Sequence, residues 1–410
     1  MATLPTKCDV AVIGAGPAGL MAAEQLGRAG FCVNLYERMP TPARKFLMAG
    51  KSGLNLTHSE DLPAFTKRYG NWSDRLARPI KAFSNTQIRQ WAHDLGIETF
   101  VGSSGRVFPK TFKASPLLRA WLKRLNSLGV ELHTRTTWQG WNENGDHLVF
   151  VGPNGTFEVD AQATILALGG TSWPKLGSVG EWQQPMQAIG VAIEQFRPVN
   201  CGFNVDWSAH FRERFAGQPV KNCLLSFNGK TVKGDVMITN NGIEGGTIYK
   251  VSAAIVAALE NGSSTAISLD LAPDQSTNRL KTRLSEAQGK RSLTDHIRRK
   301  TGLKGVQIGL LREFAHGEPL NNPEALAAKI KSLQVPITSA RPIEEAISVA
   351  GGVSFAAMDE NLMLNALPGT FCAGEMVAWD APTGGYLLSA SLAQGKQAAE
   401  GAINWLKIGT

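Results

Sequence analysis

Gly14, Gly16 and Gly19, spaced as G-x-G-x-x-G in the run Gly14-Ala15-Gly16-Pro17-Ala18-Gly19, form the residue pattern in this chain best suited to chemistry. Glycines at this spacing permit a tight turn, a close backbone approach to a pyrophosphate and close helix–strand packing, in that order. A helix opening on such a turn offers the partial positive charge of its N-terminus to phosphate oxygens. Glu37, roughly twenty residues downstream, is placed to accept hydrogen bonds from ribose hydroxyls, and its charge disfavours a 2′-phosphate. The motif alone does not separate NAD from FAD.

A strand–loop–helix–strand unit must hold these residues. Cys8–Ile13 (CDVAVI) has the apolar, β-branched character of a buried parallel strand. Leu20–Arg28 reads as a helix, with Ala22 and Ala23 where it lies close on the sheet. Gly30 ends it, and Phe31–Tyr36 makes the second strand. Arg38 and the loop Met39–Asn55 follow, rich in Pro, Gly and basic residues. Its polarity argues against a core element. Arg44, Lys45, Lys51, Ser52 and Asn55 are therefore candidates to line a cofactor or substrate cleft, the other reading being a surface loop.

Further on, Asn85–Gly96 predicts an amphipathic helix, and Ser115 with Pro116 predicts the N-cap and first position of another that Gly129 stops. Val130–Arg135 reads as a strand, followed by Thr136-Thr137-Trp138. Gly105–Pro109 (GRVFP) reads as a turn before an edge strand. Ala163–Leu168, closed by Gly169-Gly170, predicts a buried strand and either a second backbone approach to the dinucleotide or a tight bend. From about Val191, alternating segments suggest antiparallel strands in a small barrel or sandwich. Asp274–Leu333 is helical in pattern. Beyond Pro342 the first texture returns, with a strand ending in Gly374-Glu375 and a closing helix Ser389–Asn404, so the doubly wound domain is discontinuous.

The chain has 410 residues, 43% hydrophobic and 19% charged, which suits two or three soluble domains. Five scattered cysteines without C-x-x-C pairs predict free thiols and no metal site. No apolar stretch is long enough for a bilayer, and the first apolar run is a short strand rather than a signal peptide, so the expected location is cytoplasmic. The net charge of +8 fits a solvated basic surface. A second reading is attraction to an acidic partner, whether an anionic substrate, a nicotinamide dinucleotide phosphate or RNA, but the first is favoured. Lys123-Arg124 and Arg298-Arg299-Lys300 with Lys304 are the local clusters.

Assembled, these pieces resemble the bacterial NAD(P)/FAD-dependent oxidoreductases of the YhiN/BaiN type. The matching segments are GAGPAG with Glu37, the Arg44-Lys45 loop ending in Asn55-Leu56-Thr57, and GRVFP. GDVMITNNGIEGG at Gly234–Gly246, Gly351-Gly352-Val353 and FCAGEMVAWDAPTGGY at Phe371–Tyr386 complete the set. The last block is the most specific. Many relatives carry Gly-Arg-Cys-Asn where this chain has Ser52-Gly53-Leu54-Asn55, so no thiol or guanidinium role carries over there. The chain fits a shorter subgroup.

The resemblance implies FAD as cofactor and an α/β fold: a discontinuous glutathione-reductase-type, Rossmann-like FAD-binding domain interrupted by a β-barrel domain with a helical subdomain. The implied bounds are 1–190 and 346–410 for the FAD domain, 191–272 for the barrel, 273–334 for the helical subdomain and 335–345 for a return strand. It also implies that Gly374 and Glu375 reach the pyrophosphate and ribityl chain. Thr137 and Trp138 would hold the adenine end, and Gly384, Gly385, Tyr386 and Leu387 would approach the isoalloxazine near Asp380.

Hydride chemistry on a flavin needs little side-chain acid or base, but reduction of an activated C=C bond needs a proton donor, for which Tyr386 and Tyr249 are candidates. One G-x-G-x-x-G unit leaves no separate nicotinamide domain, so NAD(P)H is expected to bind transiently, its phosphates received by the Arg44–Lys51 loop. The expected activity is NAD(P)H-driven reduction of an activated C=C bond in an unidentified substrate, a small molecule or a polymer. The alternative is reduction of uridine to dihydrouridine in structured RNA; neither DNA nor a membrane is an expected partner.

Overall fold

The computed structural model describes residues 7–51, 53–314 and 322–408; Ser52 lies outside them. The chain divides into two compact units, one formed by Met1–Arg197 with Ser348–Thr410 and the other by Pro198–Ile347.

In the first unit the elements run β1 (Lys7–Ile13), α1 (Pro17–Arg28), β2 (Val33–Glu37), α2 (Arg44–Ala49), β3 (Thr57–His58), α3 (Leu62–Lys67), α4 (Ser73–Ala82) and α5 (Asn85–Asp94). Then come β4 (Thr99–Val101), β5 (Arg106–Pro109), α6 (Ala114–Ser127), β6 (Glu131–Thr134), β7 (Thr137–Trp141), β8 (Leu148–Gly152) and β9 (Gly155–Leu166). The main sheet has the order β6-β2-β1-β9-β8-β7, and Thr370–Cys372 also pairs with β9. β6, β2, β1, β9 and Thr370–Cys372 are parallel, whereas β8 runs antiparallel to both β9 and β7. Val10, Ala11 and Val12 of β1 are completely buried, as a strand covered on both faces requires.

The unit closes with helix Tyr386–Ile408, rich in Ala, Ser and Gly. A Cβ on Gly395 would stand 2.2 Å from the carbonyl oxygen of Ala18, so the small residue is what lets this helix lie against α1.

Three local expectations change. Residues 44–49 form a helix rather than a loop, because Phe46 is drawn into the core. α6 starts at Ala114 with Lys113 before it, so Ser115 lies inside the helix and caps nothing. The GRVFP segment is the middle strand of a three-stranded sheet β3-β5-β4, not a turn before an edge strand.

The second unit carries a seven-stranded antiparallel sheet. Its order is Leu333–Ile337, Thr265–Asp270, Pro219–Phe227, Lys230–Ile238, Gly242–Glu244, Phe203–Asn204, Ser339–Ala340. The two end strands are joined by Thr338 alone, which requires the sheet to curl until its edges approach. Helices Thr277–Leu284, Leu293–Thr301, Gly305–Phe314 and Pro323–Lys331 pack Leu280, Ile297, Leu310 and Ile330 into one core with Ile267 and Leu269 of the sheet.

Candidate functional site

The three glycines of the turn differ in their surroundings. A Cβ on Gly14, at φ 102°, would lie 2.3 Å from the Ala167 carbonyl oxygen, and one on Gly19 would lie 1.9 Å from the Gly14 oxygen. These two glycines are packing requirements. Gly16 differs: no atom lies within 4 Å of where its Cβ would be, so the backbone there borders open space at the N-terminus of α1. Pro17 takes the first helical position and Ala18 is buried behind it.

Glu37 ends β2 with both carboxylate oxygens on backbone donors: Ala15 N–H at 3.1 Å and Met39 N–H at 2.8 Å. Burial raises its pKa above the ordinary carboxylate value, against the opposing pull of those amides, Arg38 and Arg44. Two oxygens offer about four acceptor sites, so capacity remains for ribose hydroxyls. The Thr136 N–H donates to the Glu37 carbonyl at 2.9 Å, which brings Thr137 and Trp138 beside the end of β2. Arg38 pairs with Glu181 at 3.1 Å. Gly169, at φ 71°, accepts from the Trp182 indole at 2.9 Å.

Gly374 abuts α1. Its φ is 82°, a Cβ would meet that of Ala18 at 2.8 Å, and its N–H donates to Gln394 Oε1 at 3.0 Å. Next to it, Glu375 Oε2 pairs with Lys45 Nζ at 2.5 Å, and the same ammonium donates to Ser172 Oγ at 2.9 Å. Glu375 Oε1 is buried without a partner, as are Arg44 Nε, Asn55 Oδ1, Thr171 Oγ1 and Thr383 Oγ1. Buried polar atoms ordinarily find partners, so this set around the glycine segments fits a polar, phosphate-bearing ligand. The residues present therefore fit a dinucleotide cofactor.

The second glycine pair is pressed onto β3. Gly385, at φ 90°, leaves no room for a Cβ, which would sit 2.6 Å from Thr57 Cα, and Ser389 Oγ donates to Thr57 Oγ1 at 2.8 Å. Gly384 has φ 134°, and the Leu387 side chain packs against the core from a half-buried position. Tyr386 is buried, with its hydroxyl donating to Glu60 Oε2 at 2.9 Å and its ring stacked on His58 at 5.5 Å. Arg68 Nε donates to both Glu60 oxygens, at 3.1 and 3.0 Å. That guanidinium holds the Glu60 carboxyl below its ordinary pKa, while burial and then the Glu60 carboxylate push the Tyr386 hydroxyl upward. Burial also raises Asp380, against the Trp72 side chain and the charge of Arg197.

Tyr249 ends the short helix Gly246–Tyr249 of the second unit, whereas the other predicted site residues belong to the first. Sequence reasoning missed Thr57, His58, Glu60, Arg68 and Ser172. No spacing signal marks them: Thr57, His58, Glu60 and Ser172 meet residues far away in the chain, and Arg68 serves through Glu60, eight positions before it. Among the described residues no group of His, Cys, Asp and Glu is arranged for a metal, the cysteines are free, and no helix is long and apolar enough to cross a membrane.

The sheet order and glycine turn define a Rossmann-type dinucleotide-binding protein. The chain matches the family model described as HI0933-like protein Rossmann domain over residues 8–401, and it belongs to that family. It is 22% identical over 410 residues to the 3-dehydro-bile acid delta(4,6)-reductase of Clostridium scindens, covering 96% of this chain and 98% of that one. It is 25% identical over 255 residues to a ribosomal RNA dihydrouridine synthase of Haemophilus influenzae, a match spanning 59% of this chain and 60% of the relative. In fold it is similar to the 3-ketosteroid delta1-dehydrogenase of Sterolibacterium denitrificans, with TM-score 0.55, 13% identity and coverage of 98% and 100%.

Proposed function

We propose that this protein is an FAD-dependent oxidoreductase that reduces an activated C=C bond, with NAD(P)H as transient reductant. One observation carries the reading: the open backbone at Gly16, the carboxylate of Glu37 and the Gly384–Tyr386 segment belong to one compact unit. When bound, FAD supplies the hydride-transfer chemistry. Gly14–Gly19 and the α1 N-terminus would hold its pyrophosphate, Glu37 a ribose, and Gly374, Glu375 and Lys45 the middle of the cofactor. The Clostridium scindens relative is a reductase, which agrees with this reading.

Tyr386 holds a proton at its hydroxyl oxygen, and Glu60 fixes where that proton lies. Reduction of an alkene places a hydride on one carbon and a proton on the other; Tyr386 is the group we assign to the second task. Arg68 keeps Glu60 ionised and so keeps the tyrosine oriented. We also read the curled sheet of the second unit as a small barrel carrying a helical subdomain.

The test is direct. The purified protein should release FAD on denaturation, and anaerobic NADPH or NADH should bleach its flavin absorbance. A protein without flavin, or a flavin that neither nicotinamide bleaches, overturns the reading.

A second reading, reduction of uridine in RNA, is favoured by the concentration of positive charge in two stretches of the first unit and by the likeness to the Haemophilus influenzae ribosomal RNA dihydrouridine synthase.

A further inference from the structure

The positive charge of this chain is not spread evenly. Residues 38–59 and 99–130 contain ten Lys and Arg and no Asp or Glu. The chain holds 42 Lys and Arg against 34 Asp and Glu, so everything outside these two stretches carries 32 bases against 34 acids. The whole basic excess therefore resides in them.

The fold brings the two stretches together within the first unit. Thr57 and His58 of β3 pair with Val107 and Arg106 of β5. The Leu54 N–H donates to the Phe112 carbonyl at 2.8 Å, and a Cβ on Gly50 would stand 2.6 Å from that of Ala114. Four of the ten cations meet carboxylates: Arg38, Lys45, Lys110 and Arg124. Of the other six, Arg44 acts on the Glu37 carboxylate through its charge, and Lys51, Arg106, Lys113, Arg119 and Lys123 make no ion pair with a carboxylate among the described residues. Arg119 and Lys123 are exposed and four positions apart on one face of α6, while Lys113 precedes its first turn. By contrast Arg298 and Lys300 of the second unit pair with Asp295 and Glu286.

Three aromatic rings belong to the second of these stretches. Phe100, Phe108 and Phe112 form a cluster with centroids 5.8, 5.1 and 5.5 Å apart. Phe112 is 47% exposed and adopts φ 58°, a conformation that costs a bulky residue about 1–3 kcal/mol. Exposure of a large ring and backbone strain are two costs at one residue, and neither serves the core. Val101 and Met48, also exposed, extend the apolar surface.

Aromatic faces flanked by unpaired cations suit a polyanion whose bases are unstacked. We propose that the face made by Phe100, Phe108 and Phe112 with Lys113, Arg119 and Lys123 docks single-stranded RNA, phosphates on the cations and a base on Phe112. This deepens the RNA reading of the same flavin site and rests on it, because β3, which pairs with β5, also abuts Gly385. Five cations without acidic partners exceed what a small anion needs.

The experiment is an anisotropy titration of the full-length protein with a fluorescein-labelled 20-nucleotide single-stranded RNA across 50–200 mM KCl. The expected result is binding that weakens steeply with salt. The triple variant K113E/R119E/K123E should lower the slope of log K against log salt by about 2, since each single-strand phosphate contact contributes about 0.7. Phe112→Asn relieves the left-handed strain, so its melting temperature should stay level or rise while RNA affinity falls about 5- to 100-fold. Reversals at Lys290 and Arg298 of the second unit should change nothing. Absence of binding by the unaltered protein at 50 mM KCl overturns the proposal, as does a triple variant that binds with unaltered slope. Failure of the redox reading is seen separately, as a flavin that nicotinamides do not bleach in a protein whose RNA titration is unchanged.

Discussion

Tyr386 and Glu60, 326 positions apart, share a 2.9 Å hydrogen bond in which the phenol donates to a carboxylate already held by Arg68. The arrangement fixes one proton beside the second glycine segment. Tyr386→Phe removes that proton and leaves the Glu60–Arg68 pair intact. Turnover should fall by about 10²- to 10⁴-fold, the range for loss of a positioned acid. FAD occupancy should be unaltered, and stability should drop by about 0.5–1.5 kcal/mol for the lost hydrogen bond. Stopped-flow turnover and thermal melting measure the two. A Tyr386→Phe enzyme with unaltered turnover removes Tyr386 as the donor.

Glu37 gives a prediction with a definite sign. Its folded pKa is raised by burial, so it binds a proton more readily folded than unfolded. Its contribution to stability is then fully present below its ordinary unfolded value and is lost as pH rises through the folded value. Glu37→Gln removes that pH dependence and keeps an acceptor oxygen. The stability of the FAD-free variant relative to the unaltered protein should therefore rise between pH 4 and pH 8, on top of a pH-independent loss where the new amide N–H2 faces one of the two backbone donors. FAD affinity should fall about 10- to 150-fold, because a charged acceptor of ribose hydroxyls becomes neutral. Melting of FAD-free protein at pH 4–8 and flavin fluorescence titration test both halves.

The parts of the site legible in the sequence are those whose chemistry is local. Gly14, Gly16, Gly19 and Glu37 fall within one strand–helix–strand unit, so spacing alone carries their geometry. The Gly374-Glu375 and Gly384–Tyr386 block was recognisable through resemblance, and its contacts with Ala18 and Thr57 explain why glycine stands there. The partners were not legible. Glu60 reaches Tyr386, and Lys45 reaches Glu375 across 330 positions, through tertiary contacts that leave no periodicity. The start of α6 was misplaced for a similar reason. Ser115 is the better cap by type, but Ala114 is packed against Gly50, and that contact sets where the helix begins.

The Lys45–Glu375 pair should show strong coupling. Both side chains are mostly buried, at 26% and 10% exposure, and the ammonium also holds Ser172. Removing one partner leaves the other charge without compensation, which costs about 3–5 kcal/mol when fully buried and less here. Lys45→Met should therefore destabilise by about 1–3 kcal/mol. The double replacement Lys45→Met with Glu375→Leu should recover part of that loss. Denaturant unfolding of the two single variants and the double closes the cycle; additive effects would show the pair to be uncoupled.

The three glycines of the turn should separate folding from cofactor binding. Gly19→Ala forces a methyl to within 1.9 Å of the Gly14 carbonyl oxygen, and Gly14→Ala forces one to 2.3 Å from that of Ala167 at a φ of 102°. Both clashes are with backbone, so neither is relieved by rotating a side chain, and both variants should lose several kcal/mol or fail to fold. Gly16→Ala meets no atom within 4 Å and keeps an ordinary φ of −82°. Its melting temperature without FAD should match that of the unaltered protein. FAD binding should nevertheless collapse, because the added methyl occupies the approach that a pyrophosphate needs. A Gly16→Ala protein that retains its flavin would show that the open backbone at Gly16 is not where the phosphates lie.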